Sequence, residues 1–217
     1  MNKSWTEYYQ DKIIKHGFTA YFNQKIAKNK PFLDCIESFL QPNERLVEAG
    51  MGTSFFIAYF AKKGYNCDGF DIEPGILDFG KEVMQKLDVA GPNFYHDDIF
   101  ESSFADNSYG VSFNLGVMEH FSDEEIISAL KEQTRIAKRY IFAIPSANVL
   151  RPNSDYFGDE RYLPAKHWEE LIHEANLVLE KQIGYRFEGR PIISLMNHLT
   201  GLFYHQATFF VYVVRAQ

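Results

Sequence analysis

The sequence is poor in several things, and each shortage closes a route. Only two of its 217 residues are cysteine, Cys35 and Cys67, and they show no metal-ligand spacing. A reducing compartment is the simple reading of so little cysteine. Long apolar runs are missing as well. No stretch reaches the about 18 consecutive apolar residues that a membrane-spanning helix needs. The segment MNKSWTEYYQ lacks the apolar core of a secretion signal, so a cytoplasmic chain is expected. Positive charge is scarce: 22 Lys and Arg face 29 Asp and Glu, for a net charge of −7. That balance opposes general attraction to polyanions, and nucleic acid is not an expected partner. The one short basic run, Lys25 to Lys30 (KIAKNK), reads as a solvated helix face. Repeats and low-complexity linkers are absent too.

What is present suffices for a sizeable core without disulfides or a structural metal. The hydrophobic fraction is 46% and the charged fraction 24%, both ordinary for a globular chain. Aromatic residues, with 20 Phe and 13 Tyr, are unusually many. Most belong to the core, and a surplus toward the termini can wall a pocket.

From residue 44 onward, short apolar runs alternate with longer amphipathic segments, the signature of βαβ units on a parallel sheet. The spacing predicts strands at 45–49, 66–70, 93–96, 109–115 and 140–144. Helices are predicted at 53–63, with a Thr or Ser cap and a stop at Gly64, at 74–87 behind Pro74, and at 122–138 behind a Ser122–Glu125 capping box. A polar loop follows at 146–164, then a helix at 165–175 and strands at 177–187 and 207–215. Between those last two, residues 191–203 read as an inserted helix. The short connection favours an antiparallel pairing of the late strands, at whose edge two copies could meet as a homodimer. Residues 5–40 are helical and aromatic.

The chemistry concentrates in Glu48-Ala49-Gly50-Met51-Gly52-Thr53-Ser54, between the first strand and its helix. Gly50 permits a sharp turn, and Gly52 lets the backbone approach a ligand without a Cβ in the way. The helix start beyond presents free N–H groups toward an anionic group. Asp71 ends the second strand, 19 residues past Gly52, where a doubly wound sheet places a carboxylate beside the glycine turn. Asp98 follows the third strand, with Ile99 beside it. Taken singly, each acid also reads as a strand-end or capping residue; three such sites at successive strand ends make a constellation.

The ordered motifs E-x-G-x-G-T at 48–53, G-F-D-I-E-P at 69–74, H-D-D-I at 96–99 and V-M-E-H-F at 117–121 resemble those of class I methyltransferases, which use S-adenosylmethionine. The resemblance covers residues 44–145 and extends to the C-terminal strand pair. It implies a doubly wound, mostly parallel seven-stranded sheet with an antiparallel C-terminal strand, plus N-terminal helices. It also implies one domain over 1–217: a helical cap or lid at 1–43, a cofactor-binding core at 44–145 and a substrate side at 146–217. Carried over by position, Gly50 and Gly52 would pass under the methionine part of the cofactor. Glu48 would hold its ammonium, and Asp71 its ribose hydroxyls. Ile72 would lie against adenine, Asp98 and Ile99 at the adenine edge. The backbone of Asn114, Leu115 and Gly116 would line the sulfonium end.

Two departures stand out. Ser54 occupies a place where the family often has glycine, which questions how closely strand and helix pack. Gly110 follows Tyr109 where the family usually has Phe-Asp. A nicotinamide-dependent oxidoreductase is the rival enzyme class, opposed by Phe55 at the third glycine of G-x-G-x-x-G and by Glu48 ahead of the first. A non-catalytic or regulatory cofactor-binding protein is the rival outside enzymes.

The Glu119-His120 pair at the fourth strand's carboxyl end resembles small-molecule methyltransferases. His120 is the candidate general base for a hydroxyl or amine acceptor, or else a histidine capping the following helix. His167, His198 and His205 read as surface or packing residues. Tyr9, Tyr21 and Tyr156 are candidates for the substrate wall, with plain packing as the other reading of each. Asp97 and Asp98 adjoin on a strand end and point apart, so no metal is implied.

Overall fold

The computed structural model describes residues 4–147, 159–186, 196 and 206–217. Three helices lead the chain: α1 (Trp5–His16), α2 (Phe18–Lys28) and α3 (Lys30–Phe39). The body alternates β1 (Arg45–Ala49), α4 (Phe55–Lys62), β2 (Asn66–Asp71), α5 (Pro74–Lys86), β3 (Phe94–His96) and β4 (Tyr109–Leu115). A 3-10 turn at Met118–His120 leads to α6 (Asp123–Ile136), β5 (Ala137–Pro145), α7 (Ala165–Glu174), β6 (Leu177–Tyr185) and β7 (Phe209–Ala216). The seven strands form one sheet in the order β3-β2-β1-β4-β5-β7-β6. Strands β1 to β5 pair in parallel, and β7 runs antiparallel between β5 and β6. The expected fold is therefore observed, with the sheet order reversing beside β1, where β4 lies on one side and β2 on the other.

Helices cover both faces, which explains the unbroken apolar run Tyr140–Ile144 in β5 and the burial in β4 of Ser112 and Asn114 as well as Val111 and Phe113. One face packs Val111, Phe113, Phe60 and Ile57 under α3, α4 and α5. The other packs Val47, Phe142, Tyr212 and Trp168 under α6 and α7. Two polar residues buried here fix a loop. Ser112 donates to Gln133 Oε1 at 2.7 Å, and Gln133 donates to the Ile99 carbonyl at 2.9 Å, tying the loop after β3 to α6.

Several expectations shift. Helix α6 ends at Ile136 and β5 begins at Ala137, because Ala137 already pairs with Tyr109. Helix α4 lacks the expected side-chain cap: Ser54 stands at its N-cap in a left-handed conformation (φ 56°), with its hydroxyl buried and unpartnered. Space for that serine comes from Gly80 of α5, where a Cβ would lie 2.7 Å from Ser54 Oγ. Gly110 leaves room for Glu44, whose carboxylate would meet a Cβ there at 2.5 Å and which pairs with Lys138 at 2.7 Å. The inserted helix expected at 191–203 and most of the loop at 146–164 lie outside the described residues, as do Tyr156, His198 and His205. Among the described residues, no helix is long and apolar enough to cross a membrane.

Candidate active site

A cavity of about 320 Å³ opens at the carboxyl ends of β1, β2 and β4, the crevice a doubly wound sheet leaves where strand order reverses. Its floor is the turn after β1. The Gly50 and Met51 amides both donate to the Phe70 carbonyl, at 2.9 and 3.2 Å, which folds the turn back over the end of β2. Gly50 (φ 71°) and Gly52 (φ 43°) take left-handed conformations that a side chain would resist. Space is refused as well: a Cβ on Gly52 would lie 2.7 Å from the Tyr9 hydroxyl, and one on Gly50 2.9 Å from Val117.

Asp71 lines the cavity. One of its oxygens accepts the Glu73 amide at 3.0 Å and the other the Gly52 amide at 3.4 Å. Burial pushes its carboxyl up to about 6, against the pull of those amides. Ile72 beside it is 63% exposed, an apolar face turned outward at the cavity rim. From the loop after β3 come Asp97, Asp98, Ile99 and Phe100. Asp97 is taken up by the Asp98 and Ser103 amides and the Ser103 hydroxyl. Asp98 accepts the Phe100 amide at 2.9 Å through one oxygen, leaving the other for a ligand.

Glu48 lies beneath the turn, 4% exposed, with Oε2 unpartnered. Burial raises its carboxyl well above the usual range; the Asp71 charge adds to this, and Lys25 works against it. Lys25 is itself lowered to about 8 by burial and by its neighbours Arg186 and Lys12. Gly116 and Val117 line the cavity after β4, whereas Asn114 and Leu115 do not. Asn114 is buried and donates to the Tyr140 hydroxyl at 2.6 Å, toward the α6 face.

His120 stands at one end of the cavity, with its Nδ1 2.7 Å from Asp159 Oδ1 and its ring edge-on to Trp5 at 5.3 Å. An Nδ1–H given to Asp159 leaves Nε2 free to accept a proton. The strand of chain carrying Asp159 is fastened by Arg161, which bonds the Glu119 and Phe121 carbonyls and, at 2.6 Å, Asp123. His167 also reaches Asp123, at 3.0 Å, so it packs as expected. Glu119, the middle residue of the 3-10 turn, is buried, and that burial raises its carboxyl to about 7.

The roof is α1. Trp5 and Tyr9 stack at 5.9 Å and both line the cavity. Enclosure of its hydroxyl end over Gly52, with Tyr21 and Asp71 nearby, raises the Tyr9 phenol well above its usual range, so it stays neutral. Tyr21 is not at the cavity: it is buried against Phe55 at 5.7 Å and stacks on His16. Trp5, Glu73, Val117, Phe121 and Asp159 were not singled out from sequence. Glu73, Val117 and Phe121 fall inside the motifs at 69–74 and 117–121 but drew no role there, and Trp5 and Asp159 belong to aromatic or polar segments without a spacing to mark them.

The features fit one kind of ligand. A backbone turn bare of Cβ atoms, carboxylates at the ends of two strands and, beneath the turn, a buried acid with one oxygen unpartnered suit a molecule with hydroxyls and positive charge. Aromatic rings enclose its other side.

Residues 46–139 match the profile of the methyltransferase domain family. No curated protein sequence matches the chain. Among solved structures, the PH0226 protein of Pyrococcus horikoshii OT3 is similar, with a TM-score of 0.67 at 14% identity, over 93% of this chain and 93% of that one. The geranyl diphosphate C-methyltransferase of Streptomyces coelicolor A3(2) gives 0.63 at 14% identity, over 87% and 79%. The [4+2]-cyclase SpnF gives 0.66 at 14% identity, over 86% and 80%. Likeness at such identity establishes the fold, and the cyclase shows that this fold hosts other chemistry. The domain match supplies what the fold alone does not: residues 46–139, somewhat under half of the chain, are similar to a methyltransferase domain, a kind of domain whose cofactor is S-adenosylmethionine.

Proposed function

We propose that this enzyme transfers a methyl group in line to a nucleophilic oxygen or nitrogen of a small-molecule acceptor, with His120 as general base. The observation that carries the proposal is the His120–Asp159 pair at the cavity wall, 2.7 Å apart. A carboxylate on Nδ1 fixes the ring and its tautomer, leaving Nε2 to take the acceptor's proton.

Bound S-adenosylmethionine supplies a methyl group already activated on a sulfonium. The chain's own task is to hold acceptor and methyl collinear and dry, which can lower the barrier by about 7–11 kcal/mol. In this reading Asp71 accepts the ribose hydroxyls. Asp98 and Ile99 meet the adenine edge, and Ile72 covers one face. Gly50, Gly52 and Gly116 let the backbone close on the methionine part. Glu48 answers the ammonium from beneath. Trp5, Tyr9 and Phe121 wall the acceptor side and exclude water, while Tyr21 serves packing. The cavity's acidic lining, Asp71, Asp97, Asp98 and Asp159, suits a cationic ligand and supports the same view.

The test begins with thermal unfolding in the presence of S-adenosylmethionine, S-adenosylhomocysteine or NADH. A ligand at about 100 times its Kd stabilises by about 2.7 kcal/mol. For a chain of this length that raises Tm by on the order of 5–10 °C. Stabilisation by the sulfur compounds alone then justifies screening hydroxyl and amine acceptors for S-adenosylhomocysteine release. Turnover that survives intact in His120→Ala would remove the base assignment. A product methylated on carbon would replace the acceptor class.

A further inference from the structure

Helix α1 carries two residues of the cavity wall, yet none of its 12 residues is buried. Trp5, Tyr9 and Ile13 pack against the core only in part, so polar contacts share in keeping the helix in place. Its first turn needs acceptors for amides that no helical carbonyl reaches. A local capping box serves two donors: Ser4 Oγ accepts the Glu7 amide, and Glu7 accepts the Ser4 amide. The remaining two amides are served from 68 and 67 residues away. Glu73 accepts the Trp5 amide at 3.0 Å through one oxygen; through the other it accepts the Thr6 amide at 3.1 Å and the Thr6 hydroxyl at 2.5 Å. A carboxylate there also meets the positive end of the helix.

The surrounding residues make the tie possible. Glu73 stands at the N-cap of α5 but makes no side-chain cap to that helix, so its carboxylate is available to α1. Gly75, in the first turn of α5, lets α1 come close: a Cβ there would lie 2.6 Å from Thr6 Oγ1. The Glu73 amide meanwhile donates to Asp71 at 3.0 Å. Two carboxylates two residues apart thus face opposite duties, one toward the cavity and one toward the roof. At the far end of α1, Gly17 (φ 75°) breaks the chain direction before α2.

We propose that Glu73, with Gly75, is a positioning element for cofactor retention: it fastens α1, and with it Trp5 and Tyr9, over the ligand. The proposal rests on reading the cavity as the S-adenosylmethionine site. Loss of the tie frees the N-terminal end of α1, and the ligand leaves faster from a site whose floor is unchanged.

Two variants test this in the full chain. Glu73→Gln keeps the shape but sets an amide NH2 against the Trp5 N–H, donor against donor. Gly75→Ala drives a methyl into Thr6 while giving α5 a better helix former, so poorer folding of α5 cannot explain its effect. The chain has two tryptophans. Trp168 is fully buried, so a ligand-dependent change in emission reports on Trp5. Stopped-flow fluorescence should show S-adenosylhomocysteine dissociating about tenfold faster from both variants, the scale of one lost charge-assisted hydrogen bond. KM for S-adenosylmethionine should rise while kcat at saturation holds. Thr6→Ser should behave as wild type, and Thr6→Val as the weakened variants. Amide exchange of residues 5–16, measured without ligand, should quicken in Glu73→Gln, Gly75→Ala and Thr6→Val, and stay at the wild-type rate in Thr6→Ser. Wild-type dissociation rates and wild-type exchange in both would overturn the proposal. A wild-type chain that binds neither sulfur compound would overturn the cofactor reading instead. The ligand-free exchange comparison still decides whether Glu73 holds α1.

Discussion

The floor and the roof of the cavity are held by different means. The floor is an outgrowth of the sheet: its turn is bonded to the Phe70 carbonyl, and buried Val47, Ala49 and Phe70 lie under it. The roof is one helix with no buried residue, held at its first turn by the Glu73 carboxylate and along its length by partial contacts such as Tyr9 over Gly52. Elements with few buried apolar contacts open more readily than those locked in a core. The floor is therefore set before a ligand arrives, while the roof can open and close around one. Chemistry that needs fixed geometry belongs on the floor and its rim, and exchange belongs to the roof.

The sharpest separation comes from the rim. His120→Ala is expected to lower kcat by about 10²–10⁴-fold, the usual worth of a positioned base, while leaving cofactor affinity nearly intact. A large affinity loss, read by calorimetry, would give the histidine a structural role instead. Next in size is the floor: Asp71→Ala should weaken S-adenosylmethionine by about 1–3 kcal/mol, on the order of tenfold to a hundredfold, by removing hydrogen bonds to a charged acceptor. Exchange in α1 should stay at the wild-type rate in that variant. If α1 loosens equally, floor and roof are one unit and the contrast fails.

Acidity offers a milder probe of the floor. Burial places the Asp71 carboxyl at about 6, and its ionised form is the better acceptor for hydroxyls. Cofactor affinity should therefore be full above about pH 6 and decline below it. A titration of Kd from pH 5 to 8 that stays flat in the wild type would sink the role. The smallest effect concerns stability. Glu119, at about 7, keeps a proton in the folded chain that the unfolded chain gives up near its ordinary value of 4.5. That stabilisation is full below about pH 4.5 and is lost as pH rises through about 7. Glu119→Gln, neutral throughout, should lose fewer degrees of Tm between pH 5 and 8, a difference of about a few °C.

The floor was largely legible in the amino-acid order, the roof only in outline. Strand β1 runs over the residues its apolar pattern suggests, and Gly50, Gly52, Asp71, Asp98, Ile99 and Gly116 gather at one cavity because each ends or follows a parallel strand. Asn114 has the right place in the chain, yet its side chain faces the α6 side and bonds Tyr140. A residue's position after a strand indicates the edge, and the pleat decides the face. In the N-terminal helices, the helical pattern and aromatic content were visible. That Tyr9 would line the cavity and Tyr21 enter the core was not, since both are tyrosines on amphipathic helices.

By itself the sequence determined the turn, the strands and the acids at their ends. These are local matters: a left-handed turn favours glycine, and a parallel strand covered on both faces is an apolar run. Only the tertiary structure decided that Glu73 would cap a helix 68 residues away, that Asp159 would orient His120, and that Ser54 would sit left-handed in space left by Gly80. Those partners are distant in the chain, and no periodicity marks a residue whose role exists only once two elements have been packed together.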